Sequence, residues 1–199
     1  MAAPALTLAA LNTMAPQAFV AALGEVFEHA PWVAEAVVAG RPYPTVTALH
    51  DAMIGAVRSA AADRQLAFIQ GHPELGSRVG QAELTNASEA EQGSLGLNSL
   101  SAEEFAAFSR MNRAYREKFN VPFIICVRRH TRDSILRNFA QRLENDVPAE
   151  RAQALTQIGL ITRLRLVRLV DGPGVPVTTG RLSTHVLDVT TGRPAPASR

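Results

Sequence analysis

The chain of 199 residues carries one cysteine, one tryptophan, one lysine and two tyrosines. A lone thiol, Cys126, rules out an internal disulfide and points to a reducing compartment, the cytoplasm. Cys126 lies in the apolar run Val121-Pro122-Phe123-Ile124-Ile125-Cys126-Val127, where a buried small hydrophobe is its plain reading. No run approaches the roughly 18 apolar residues of a membrane span. The start, Met1-Ala2-Ala3-Pro4-Ala5-Leu6, has no basic stretch ahead of an apolar one and does not read as a secretory signal. Also missing are a His-x-x-x-His pair, a cysteine pair and an Asp/Asn-rich calcium loop, so no metal site is legible. With no Gly-rich phosphate loop and no Gly-x-Ser-x-Gly elbow either, cofactor-free chemistry is the enzymatic option that remains. Charge of one sign is lacking too. Nineteen Arg and the single Lys face 18 acidic residues for a net charge of +2, with no basic stripe interleaved with aromatics, which argues against a nucleic-acid partner. The Arg bias and abundant Ala reflect a bacterial-type coding composition.

What is present suffices for a globular core: 47% of residues are apolar, and the length suits one domain with an appendage. Apolar spacing of three and four predicts helices over Pro16 to Glu28, Thr47 to Ala62, Glu103 to Phe119, Ile135 to Leu143 and Ala149 to Val170. Ser101 with Glu104 forms a capping box, and Pro148 suits the first turn of a long last helix. Pro122 stops a helix, and the β-branched residues behind it predict one short extended segment over Phe123 to Val127. The expected fold is therefore all-α, a compact multi-helix domain over 1–170. Asp171-Gly172-Pro173-Gly174-Val175-Pro176 opens a Gly/Pro linker over 171–180, and a β-patterned tail follows over 181–199.

Two short runs carry the candidate chemistry: Gly71-His72-Pro73-Glu74-Leu75-Gly76, and Ser88-Glu89-Ala90-Glu91-Gln92. On a helix Ser88, Glu91 and Gln92 fall at i, i+3 and i+4 and share one face. That face could meet His72, a group that titrates near neutrality, and offer it a carboxylate, a hydroxyl and an amide. Plainer readings stand beside this one. His72 could simply bond a carbonyl at a helix-ending turn, Ser88 could be an N-cap, and Glu91 and Gln92 could form a polar helix surface.

Together these runs resemble the 2-oxo-4-hydroxy-4-carboxy-5-ureidoimidazoline (OHCU) decarboxylases of urate degradation. The resemblance covers most of the chain to about Val170. It rests on His72-Pro73-Glu74-Leu75-Gly76, on Leu84-Thr85 with Ser88-x-x-Glu91-Gln92, and on Leu97. It continues through Met111-Asn112-x-x-Tyr115-x-x-Lys118-Phe119-x-x-Pro122-Phe123-Ile124-Ile125-Cys126 and Ile135-Leu136-x-x-Phe139-x-x-Arg142-Leu143. It closes on Ala154-Leu155-x-x-Ile158-x-x-Ile161-x-x-Leu164-Arg165-Leu166. Asn120-Val121 departs from the Gly and aromatic often found there. The resemblance implies an all-α homodimer that needs neither metal nor organic cofactor. It makes His72 the catalytic acid/base and Glu91 its carboxylate partner. Pro73, Ser88, Gln92, Phe123, Ile124, Ile125, Cys126, Val127 and Arg165 would line the ureidoimidazoline substrate, Arg165 as a bidentate fork for carboxylate or ureido oxygens. Without the resemblance, Arg165 reads equally well as a surface residue among Arg163 and Arg168.

The tail Gly180-Arg181-Leu182-Ser183-Thr184-His185-Val186-Leu187-Asp188, with Gly192-Arg193-Pro194-Ala195, resembles the opening strand of the 5-hydroxyisourate hydrolases, transthyretin-related enzymes acting one step earlier. About twenty residues cannot build that β-sandwich. A truncated start of a fused hydrolase domain is the expectation, and a flexible basic tail the plain alternative. A non-catalytic helical scaffold is the competing view of the whole chain, although a scaffold has no need of both His72 and Glu91.

Overall fold

Hydroxyl and proline caps set most helix starts, and glycines or left-handed residues set several ends. The computed structural model describes residues 6–76, 85–93, 96 and 99–176. In chain order these form β1 (Leu6–Thr7), α1 (Leu8–Thr13), α2 (Pro16–Leu23), α3 (Trp32–Val37), α4 (Val46–Ser59), α5 (Ala62–Gln70), α6 (Asn86–Gly93), α7 (Ala102–Phe119), α8 (Arg132–Leu143), α9 (Val147–Leu169) and β2 (Val170–Asp171). The architecture is all-α, with one two-stranded parallel pairing in which Leu6 faces Val170 and Thr7 faces Asp171.

Four of the caps explain themselves. The Thr45 hydroxyl accepts from the Ala48 amide at the start of α4, and Ser101 with Glu104 makes the expected reciprocal box at α7. At α8 the box is Thr131 with Ser134, so this helix starts three residues earlier than its apolar spacing suggests. At α9 the Asp146 side chain accepts from the Ala149 amide, and Pro148 sits in the first turn. α2 is shorter than its periodicity predicts. It ends at Leu23 with Gly24 as C-cap, and the irregular stretch behind it turns Glu28 inward.

The core joins Phe19, Phe27, Leu49, Met53, Phe108, Tyr115, Phe139, Ile158 and Leu166, all nearly solvent-free, with α4 packed between α3 and α9 and α8 against α7. α7 closes on Asn120, left-handed at φ 57°, and the chain then runs extended through the core. Phe123 stacks on Phe139 at 3.6 Å between ring centres, and the Arg142 guanidinium lies 4.4 Å over its ring. Arg142 Nη1 donates to the Ile124 carbonyl at 2.7 Å, and the Cys126 amide donates to Gln157 Oε1 at 2.9 Å. Up to Cys126 the expected extended segment forms neither helix nor sheet, Cys126 itself having φ -74° and ψ 86°, and Val127 begins a single 3₁₀ turn, Val127–Arg129. Arg142 is in turn paired with Glu150, whose carboxylate also receives the Tyr115 hydroxyl and the Asn145 amide. A buried ion pair thus pins a stretch of backbone that has no sheet to hold it.

The Gly/Pro run is attached as far as Pro176. The Val46 amide donates to the Pro173 carbonyl at 2.8 Å, and Thr47 Oγ1 donates to the Gly174 carbonyl. Gly172 adopts φ 157°, and a Cβ there would meet Leu8 at 2.8 Å, a close approach only glycine permits. The tail with His185 lies outside the described residues. Among the described residues no helix is long and apolar enough to cross a membrane.

Candidate active site

His72 follows the last turn of α5, where the Gly71 amide donates to the Ala67 carbonyl and the His72 amide to that of Ile69. Its half-buried imidazole meets the Phe68 ring edge-on at 4.9 Å, and Nδ1 lies 2.9 Å from the Phe68 carbonyl oxygen. A carbonyl only accepts, so the proton belongs on Nδ1 and the lone pair on Nε2. Burial pushes the imidazole pKa down to about 4, against the opposing pull of the Phe68 carbonyl and the Glu28 charge. His72 is therefore neutral at pH 7, a base in a defined tautomer. The turn behind it is fixed twice. Asn112 Nδ2 donates to the Leu75 carbonyl at 2.8 Å, and the Gly76 amide donates to Gln92 Oε1 at 3.0 Å. Gly76 needs the left-handed φ of 67° found there.

Opposite stands α6. Thr85 caps it, its hydroxyl accepting from the Ser88 amide at 3.3 Å. Ser88 therefore sits inside the helix and not at its cap, with its hydroxyl turned inward to Glu28 Oε2 at 2.9 Å. Arg165, from α9, is the hub. Nε donates to Glu91 Oε1 at 3.0 Å, Nη2 to Glu91 Oε2 and to Ser88 Oγ, both at 2.9 Å, and Nη1 to Glu28 Oε2 at 2.7 Å. Arg165 does form a bidentate fork, but with Glu91, where the resemblance implied a fork for substrate oxygens. The imidazole tautomer, for which Glu91 was the expected support, is set by the Phe68 carbonyl.

His72, Pro73, Ser88, Glu91, Gln92, Phe123, Ile124, Ile125, Val127 and Arg165 all line one cavity that is partly open to solvent. Cys126 does not line it. Its side chain is buried elsewhere in the same segment, and burial raises the thiol pKa. Glu28, Leu75, Ile158, Ile161 and Thr162 complete the lining. Ile158, Ile161, Thr162 and Arg165 stand at i, i+3, i+4 and i+7 of α9, a single helix face that the spacing could have shown. Glu28 carries no local signal. Buried to 3% exposure, it also receives the Thr85 hydroxyl at 2.8 Å and amide at 3.3 Å. Burial alone would raise its pKa, but the Arg165 bond and charge and the two hydroxyls lower it, so Glu28 is ionised.

The lining thus combines apolar side chains with a charged, hydrogen-bonded cluster, and a neutral base lies among them. Such a cavity fits a small, flat, polar heterocycle undergoing proton transfer.

The chain is 40% identical over 161 residues to the 2-oxo-4-hydroxy-4-carboxy-5-ureidoimidazoline decarboxylase of Haloferax volcanii, covering 81% of this chain and 94% of that one. It is 38% identical over 156 residues to the uric acid degradation bifunctional protein of a Bacillus species, covering 78% of this chain and 30% of that longer protein. Among solved structures, an (S)-allantoin synthase superposes with a TM-score of 0.69 at 28% identity, over 96% of this chain and 62% of that one. An OHCU decarboxylase crystallised in the presence of (S)-allantoin, 20% identical with a TM-score of 0.59 over 78% of this chain and 98% of that one, shares the fold. With the family model for OHCU decarboxylase matching residues 12–167, this chain belongs to the OHCU decarboxylase family.

Proposed function

We propose that this chain decarboxylates 2-oxo-4-hydroxy-4-carboxy-5-ureidoimidazoline to (S)-allantoin in urate degradation, with His72 as the catalytic acid/base. The observation that carries the reading is the neutral imidazole, with its lone pair on Nε2, in a cavity also lined by Ser88, Gln92 and the Arg165 cluster. The substrate has a carboxylate and a hydroxyl on one ring carbon, next to a C=N bond. As CO2 leaves, the electron pair of the broken C–C bond forms a ring C=C bond, and the C=N pair moves onto nitrogen, which takes a proton. No metal is needed to accept those electrons. Nε2 then takes the hydroxyl proton as the enol becomes a ketone, and protonation of the neighbouring ring carbon on one face gives one enantiomer. Pro73 and the Phe123–Val127 segment support the ring, and Glu91 holds Arg165 in place. We also read the enzyme as a cytoplasmic homodimer, in keeping with the family resemblance and the lone cysteine, with 1–170 as the catalytic domain, 171–180 as a linker and 181–199 as a hydrolase-like segment.

The test is to add the purified chain to freshly generated OHCU and follow optical activity. One allantoin enantiomer appearing faster than the spontaneous reaction supports the reading. Decay at the spontaneous rate to racemate refutes it and favours a non-catalytic scaffold. Light scattering on the eluted protein tests the dimer.

A further inference from the structure

The pocket contains two carboxylates and one guanidinium, and the surplus negative charge needs a reason. Glu28 Oε2 receives Arg165 Nη1 and Ser88 Oγ, while its Oε1 receives the Thr85 hydroxyl and amide. Glu91 takes Nε and Nη2 of the same guanidinium. An arginine has five N–H donors. Four bonds from Arg165 to Glu28, Glu91 and Ser88 leave one N–H, on Nη1, for a ligand. The trio carries one net negative charge, and His72, which lines the same cavity and feels Phe68 of α5, Glu28 and His29 of the 24–31 stretch and Arg165 of α9, adds no positive charge at pH 7.

We propose that Glu28 is a positioning residue that, with Glu91, closes the Arg165 fork, so that the carboxylate of the substrate is denied a bidentate ion pair and lodges against the apolar wall of Ile124, Ile125 and Ile158. This rests on the decarboxylase reading. The chemistry favours such an arrangement. A guanidinium clamped on the departing carboxylate would stabilise the ground state more than the transition state, because the negative charge leaves that group as neutral CO2 forms. Apolar surroundings disfavour the carboxylate and tolerate CO2. The closed fork still holds Ser88 in place and keeps a positive centre near the ring, where charge accumulates.

The experiment uses two probes, imidazole-4-carboxylate and its neutral analogue imidazole-4-carboxamide, titrated calorimetrically at pH 7 into the full chain and into Glu28→Gln. The wild type should bind the carboxylate no more tightly than the carboxamide. Glu28→Gln removes one negative charge beside Arg165 and weakens the hold on its Nη1, so it should bind the carboxylate about tenfold tighter, the effect of one charge-assisted bond, with carboxamide affinity unchanged. Its kcat on OHCU should fall at least about tenfold with no rise in KM, whereas a merely structural prop would raise KM and weaken both probes together. Glu28→Asp keeps the charge and should keep the wild-type indifference to the anion. A wild type that prefers the carboxylate tenfold or more overturns the proposal even if Glu28→Gln fails to fold, as does a folded Glu28→Gln with unchanged anion affinity. The binding arms do not depend on turnover. Absence of OHCU decarboxylation in the wild type would therefore sink the functional reading separately.

Discussion

Replacing His72 by Asn should make the protein less sensitive to acid. In the folded chain burial holds the imidazole pKa at about 4, against an ordinary value of 6.5. Between those values the unfolded chain binds a proton that the folded chain refuses, so stability rises with pH there. The contribution is fully present above pH 6.5 and is lost as pH falls through 4. Complete loss amounts to about 3 kcal/mol, of which about 2 kcal/mol is gone by pH 5. Asn is the informative substitute because its Nδ2 sits near the position of Nδ1 and can keep the bond to the Phe68 carbonyl. His50 and His130, both lowered first by burial, and the carboxylates are common to both proteins and cancel in the difference. Urea melts at half-unit steps from pH 7.5 to 4 should show the wild type losing about 3 kcal/mol more than His72→Asn over that range. Parallel stability curves would refute the assignment of a neutral, half-buried imidazole and with it the identity of the base.

Turnover should fall roughly 10²- to 10⁴-fold in His72→Asn, the usual loss when a positioned base is removed, as read by initial rates on fresh OHCU in protein with unchanged circular dichroism. Glu150→Ala leaves Arg142 buried without its carboxylate and should cost about 3–5 kcal/mol in a denaturant melt, whereas Glu104→Ala, which removes the partly exposed pair with Arg132 and one arm of the α7 capping box, should cost clearly less. Ending the chain at Pro176 should leave decarboxylation unchanged. Ending it at Leu169 removes the buried Val170, the β1 pairing and the Pro173 bond to α4, and should lower the melting temperature by several degrees. Exhaustive chelation with EDTA should leave the OHCU decarboxylation rate where it was, and a loss restored by a divalent ion would refute the proposed chemistry.

How much of this was legible in the sequence follows from the range of the interactions. The long helices α4, α7 and α9 could be read because their caps and apolar spacing are local. The same holds for Ser88, Glu91 and Gln92, whose shared face needs only one turn of helix. The short helices α1, α3 and α5 escape, having six to nine residues each and too few turns for periodicity to stand out. The β1–β2 pairing joins residues over 160 positions apart with two residues per strand, and nothing local encodes it.

Two acidic residues carry the argument further. Glu150 looks like an acidic residue placed for the dipole in the first turn of α9, yet it is 1% exposed and anchors Arg142, which holds the Ile124 carbonyl. Glu28 looks like the polar edge of α2, and only the end of that helix at Gly24 turns it toward a guanidinium 137 positions away. Both are buried charges whose partners come from distant elements, and a buried charge without its partner is strongly destabilising. Periodicity assigns each of them to the surface, because an acidic side chain at a helix end is normally solvated. Tertiary pairing reverses that assignment in both cases, and each reversed residue lies against the cavity or against a group that shapes its wall. In this fold the charges that local patterning misplaces are the ones that hold the candidate active site together.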